Sequence, residues 1–68
     1  MTLVDEFEQW AEIKIAKYPE LDEEIGDCVA IALDEIDEGA DIEEELKIAI
    51  EEINGVIANH IYKDSSRR

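Results

Sequence analysis

The sequence predicts an all-α fold, a small antiparallel three-helix bundle built as a helical hairpin with the first helix docked on it. Three observations lead there. Apolar residues recur with the 3.6-residue period of a helix in three separate stretches. The breaks between them are short and carry Pro19 and Gly39. An acidic-apolar phrase is written twice, as IALDEID at Ile31–Asp37 and as IAIEEIN at Ile48–Asn54, once in each of the last two stretches.

The first helix is expected from the stripe Leu3, Phe7, Trp10, Ala11, Ile15 and Tyr18. Thr2, with Asp5 three positions on, resembles an N-terminal start signal, although Asp is a weaker reciprocal partner than Glu. Pro19 either ends this helix or opens the next, because its ring fits only a first turn. The second stripe is Leu21, Ile25, Cys28, Val29, Ala32, Leu33 and Ile36, closed by Gly39 as a C-terminal glycine. Asp41 is then the expected cap of the third helix, with Glu44 at the reciprocal position. Its stripe runs Ile42, Leu46, Ala49, Ile50, Ile53, Ile57 and Ile61. Gly55 lies inside that stripe and costs about 1 kcal/mol against alanine, so it can end the main helix there. Short connections make successive helices antiparallel neighbours. The expected domain covers residues 1–62, and residues 63–68 form a disordered C-terminal tail without an apolar anchor.

A chain of 68 residues makes one domain, and at that size only about 60% of the unfolded surface is buried. Small domains need a staple, and the common ones are missing. Cys28 is the only cysteine, which excludes an internal disulfide. A lone thiol and the lack of a signal-peptide pattern predict a reducing, cytoplasmic setting. The longest aliphatic run, Val29–Leu33, is far short of the roughly 20 residues that span a bilayer, so no membrane partner is expected. Pairing is a further way for so small a domain to gain stability, and a homodimer is expected on that ground.

Charge placement is the most informative feature. Residues 20–52 carry fifteen acids against Lys47 alone, a net −14 that equals the formal charge of the whole chain. The flanks, 1–19 at −2 and 53–68 at +2, cancel. Acid blocks commonly mean disorder, but aliphatic residues at regular intervals make this block an amphipathic, folded one.

The repeated phrase places most of its apolar members on the stripes, but its opening isoleucines fall off them. On a wheel of 100° per residue, Ile31 stands about 115° and Ile48 about 150° from the centre of its own stripe. The helical neighbours of Ile48 at three and four positions are Glu44, Glu45, Glu51 and Glu52. Ile13 is off its stripe in the same way. A middle helix that touches two partners has a wide stripe, which accounts for Ile31 but not for Ile48. Ile13, Ile31 and Ile48 are therefore the candidates for self-association.

Catalytic and metal chemistries find little support. Setting Gly39 at the sixth place of a calcium loop puts Glu45 correctly at the twelfth. It also puts Ile36 at the third, where an oxygen ligand is required, and the motif fails. His60 is the only histidine, so Glu-x-x-His pairs for a di-iron site do not occur. Near a helix C-terminus it serves the dipole. Cys28 sits on the core stripe as an inert thiol. The glycines 26, 39 and 55 are isolated and form no phosphate loop. No enzyme activity, cofactor or metal is expected.

Direct nucleic-acid binding is disfavoured, because this surface repels phosphate. The same property suggests the opposite relation. Fifteen carboxylates along paired helices of roughly 27 Å give about one charge per 1.8 Å, against about one per 1.7 Å of duplex axis. The leading expectation is a non-enzymatic acidic interaction protein, a nucleic-acid mimic that occupies the basic groove of a nucleic-acid-binding protein. Small inhibitors of the kind encoded by viruses and mobile elements fit that role. Its partner-binding candidates are Asp34, Glu35, Asp37, Glu38, Glu43, Glu44, Glu45, Glu51 and Glu52, with Ile48 as an apolar anchor. The alternative is a self-associating structural or regulatory helical module whose acids serve only solubility.

Overall fold

The computed structural model describes residues 2–66, and within them the chain is helical apart from short turns, with no strand. Helix α1 spans Leu3–Lys17, a 3-10 turn Pro19–Leu21, α2 Asp22–Asp37, and α3 Ile42–Ser66.

Each boundary has a local cause. Thr2 is extended, and its hydroxyl oxygen accepts from the Asp5 amide at 3.1 Å, satisfying one of the free donors of the first turn. Pro19 opens the 3-10 turn, where its missing N–H costs nothing. Gly39, at φ 107°, lets the chain leave α2 in a left-handed conformation. There the Ala40 amide donates to the Glu35 carbonyl and the Gly39 amide to the Ile36 carbonyl, both at 3.0 Å. This is the paired closure known as a Schellman motif. Asp41 caps α3 as expected, though its Oδ1 accepts from the Glu43 amide, one residue earlier than Glu44.

The three helices share one core. α1 contributes Phe7 and Ala11, the turn Leu21, α2 Ile25 and Ala32, and α3 Leu46, Ala49, Ile53 and Ile57. Ile25 and Ile53 are fully enclosed, each worth about 1.5–3 kcal/mol over an exposed side chain. One buried alanine per helix (Ala11, Ala32 and Ala49) removes bulk where the helices approach. No polar or charged side chain is buried among the described residues.

The structure departs from the sequence reading in three places. Gly55 does not end the third helix, because Ile53 and Ile57 on either side of it are buried and their packing outweighs its propensity. The stretch expected as a tail, 63–68, is helical as far as Ser66, and residues 67–68 lie outside the described region. The stripes of α1 and α3 are also left uncovered at some of their ends. Leu3, Ile42 and Ile61, at the ends, are 49%, 43% and 47% exposed.

Two contacts fix which ends meet. Thr2, Leu3 and Val4 share a hollow with Ala40, Asp41, Ile42 and Glu43, so α1 and α3 start side by side. Glu20, just before α2, reaches His60 in the later part of α3. The molecule measures 45 × 18 × 16 Å.

Candidate partner-binding surface

The outward side of α3 is bounded on both flanks by contacts. On one flank Glu43, Lys47 and Glu51 face α1. On the other, the Glu52 carboxylate lies near the Cys28 thiol of α2 and helps to raise its pKa. Ile48 stands between these borders, 42% exposed. Its neighbours Glu44, Glu51 and Glu52 are exposed, and Glu45 is half-buried. The structure thus places the isoleucine on the outside of the bundle, with glutamates around it on its own helix.

On α2 the carboxylates Asp34, Glu35, Asp37 and Glu38 are all exposed, crowding the last turn. That turn carries no basic residue. Carboxylates oppose the helix dipole at this end, where a cation would be favoured. Ile31, one turn earlier, is 62% exposed, and Ile13 on α1 is 64% exposed. These two and Ile48 lie on three different helices.

Cys28 and His60 are structural in their surroundings. Cys28 packs against the core without being fully enclosed. Its thiol pKa is raised, first by desolvation and then by Glu52, Asp27 and Glu24. Both effects disfavour the thiolate, the nucleophilic form. His60 does not serve the end of its own helix. Its Nε2 lies 3.2 Å from Glu20 Oε1, and its ring meets Tyr18 edge-on at 6.3 Å. Among the described residues no group of three or more His, Cys, Asp or Glu is placed to hold a metal ion. No helix there is long and apolar enough to cross a membrane.

The sequence reading missed a groove of about 640 Å³ between α1 and α3. Its floor is apolar: Leu3, Phe7 and Trp10 from α1, and Leu46 and Ile50 from α3. Phe7 and Leu46 are buried, whereas Trp10 and Ile50 remain half-covered. The Trp10 ring stacks on Phe7 at 6.2 Å and carries the Lys14 ammonium 5.6 Å from its centroid. Glu6, Glu43 and Glu51 line the groove together with Lys47. The available signal was the spacing of Leu3, Phe7 and Trp10 against Leu46 and Ile50. A wheel assigns all five to the stripes and cannot tell which stay uncovered.

No protein-family model matches the chain, and neither the curated proteins nor the solved structures compared with it give a significant match.

Proposed function

We propose that the protein is a non-enzymatic acidic interaction protein that binds a basic nucleic-acid-binding partner and covers its nucleic-acid groove. The observation that carries this reading is the concentration of fifteen acids and one lysine within residues 20–52. Asp34, Glu35, Asp37, Glu38, Glu43, Glu44, Glu51 and Glu52 within that stretch are all exposed. Set antiparallel, α2 and the start of α3 would spread the fifteen acids over the length of α2, 16 residues or about 24 Å. That is about one charge per 1.6 Å, close to the roughly 1.7 Å of duplex DNA. The carboxylates supply steering and on-rate, and Ile48 supplies an apolar anchor among them. The role fits a small inhibitor of the viral or mobile-element kind, acting in the cytoplasm.

The experiment is affinity capture from lysate at low and high salt, followed by nucleic-acid displacement from the captured partner. Reversing Glu44 and Glu52 to lysine should abolish displacement. Reversing Glu8 and Glu12 on α1 changes net charge equally and should leave it intact. A partner whose nucleic-acid site stays open when bound would refute the mimicry.

A second reading rests on the exposure of Ile13, Ile31 and Ile48, at 64%, 62% and 42%. Here the protein is a self-associating helical module, and its acids keep it soluble. Sedimentation of a homodimer that Ile31→Asp or Ile48→Asp converts to monomer, with helicity kept, would favour this reading.

A further inference from the structure

The groove between α1 and α3 has a size, a chemistry and a charge that together select an occupant. Leu3, Phe7 and Trp10 lie at i, i+4 and i+7 on α1, and Glu43, Leu46, Ile50 and Glu51 cover the same span on α3. The groove is therefore about two helical turns long, or roughly 11 Å. Two turns is the length over which an amphipathic helix presents its i, i+3/i+4 and i+7 anchors to a groove. The volume of about 640 Å³ holds a few large side chains rather than a whole domain.

Charge decides between occupants. Three carboxylates and one lysine border the floor, in a chain of formal charge −14. A second copy would bring the same carboxylates and the same net charge against them. Nucleic acid and anionic lipid would be repelled likewise. A helix with aliphatic residues on one face and lysine or arginine beside them satisfies both the floor and its border.

We infer that the α1–α3 groove docks a cationic amphipathic helix of a protein partner, its aliphatic anchors on Trp10, Ile50 and Leu3 and its cations against Glu6, Glu43 and Glu51. This inference does not rest on nucleic-acid mimicry. The groove borders the Ile48 face and shares Glu43 and Glu51 with it, but its apolar floor is separate and its test involves no nucleic acid.

Trp10 is the only tryptophan, so its emission reports on the groove directly. The protein would be titrated with three synthetic peptides: a leucine-lysine amphipathic helix, the same composition scrambled, and a leucine-glutamate helix of the same pattern. The amphipathic cationic peptide should shift Trp10 emission saturably, with affinity at least about tenfold above the scrambled one. The glutamate peptide should leave emission unchanged. Reversing Glu6 and Glu43 to lysine should weaken binding by about tenfold at low salt, and the loss should shrink as salt is added. Leu3→Gln, which removes floor without altering charge, should weaken it at every salt concentration. Circular dichroism would confirm that each variant keeps its helicity. Equal binding of the ordered and scrambled peptides would reduce the effect to net charge and overturn the inference. So would an equal loss from the Glu8 and Glu12 reversals. A Trp10 shift that depends on protein concentration without peptide would assign the groove to a second copy instead.

Discussion

His60 Nε2 stands 3.2 Å from Glu20 Oε1, joining the 3-10 turn ahead of α2 to the later part of α3. The two side chains are 36% and 55% exposed, so water and salt screen the pair. A double-mutant cycle with Glu20→Gln and His60→Gln should give a coupling under about 1 kcal/mol, shrinking as salt is added. A coupling that is large and insensitive to salt would mean the pair is more shielded than its exposure indicates.

The core should be far less tolerant. Ile25→Ala or Ile53→Ala removes a fully enclosed side chain and should cost about 2–5 kcal/mol. For a domain this small that is a large share of a typical 5–15 kcal/mol total. Ile48→Asp should cost little by comparison. Urea unfolding of the three variants, followed by circular dichroism, measures the ranking. A large loss for Ile48→Asp with mild losses for the other two would invert the account of the core.

Two glycines should respond to alanine with opposite signs. At Gly39 the φ of 107° disfavours any side chain, so Gly39→Ala should destabilise by about 1 kcal/mol or more. Gly55 lies inside α3, and an added Cβ there meets nothing within 4 Å. Gly55→Ala should stabilise by about 1 kcal/mol through helix propensity. Thermal melts of both variants read the signs directly.

The thiol gives a dependence on alkaline pH. The pKa of Cys28 is raised above its ordinary 9.0, so the folded state holds the proton that the unfolded chain releases. Its contribution is fully present below pH 9 and is lost as pH rises through the higher folded value. Cys28→Ala should flatten the pH dependence of stability above 9 relative to the parent protein. Alkylation by iodoacetamide at neutral pH should be slow until the protein is unfolded.

Added salt should raise the melting temperature, because residues 20–52 hold fifteen acids with a single lysine and screening relieves their repulsion. A melting temperature that falls with salt would show that paired charges dominate instead.

The helices and their capping residues were legible in the sequence, and how far each apolar stripe is covered was not. Phe7 and Ala11, Ile25 and Ala32, and Leu46, Ala49, Ile53 and Ile57 are buried where the 3.6-residue period puts them. Periodicity describes one helix alone and does not say where its neighbours stop. Leu3, Ile42 and Ile61 therefore read as core and proved exposed. Gly55 read either as a weak point inside the third helix or as its end, because propensity is local, whereas the packing of Ile53 and Ile57 that carries the helix through it is not. Ile13 and Ile48 are exposed, as their large angular offsets predict, and Ile31 is exposed although a wide stripe on the middle helix would have covered it. The Glu20–His60 contact and the α1–α3 groove depend on how helices are set against each other, which no single-helix pattern encodes.

The two turns between helices have a kinetic consequence. Pro19–Leu21 and the closure at Gly39 bring each helix to its successor with only a few residues between them. Little loop-closure entropy is spent before native contacts form. Helical domains with such local topology have low contact order and fold in microseconds to milliseconds. A temperature-jump measurement should therefore find relaxation in that range. An acidic protein that refolds this fast spends little time with Ile25 and Ile53 in water, where they would recruit one another across chains.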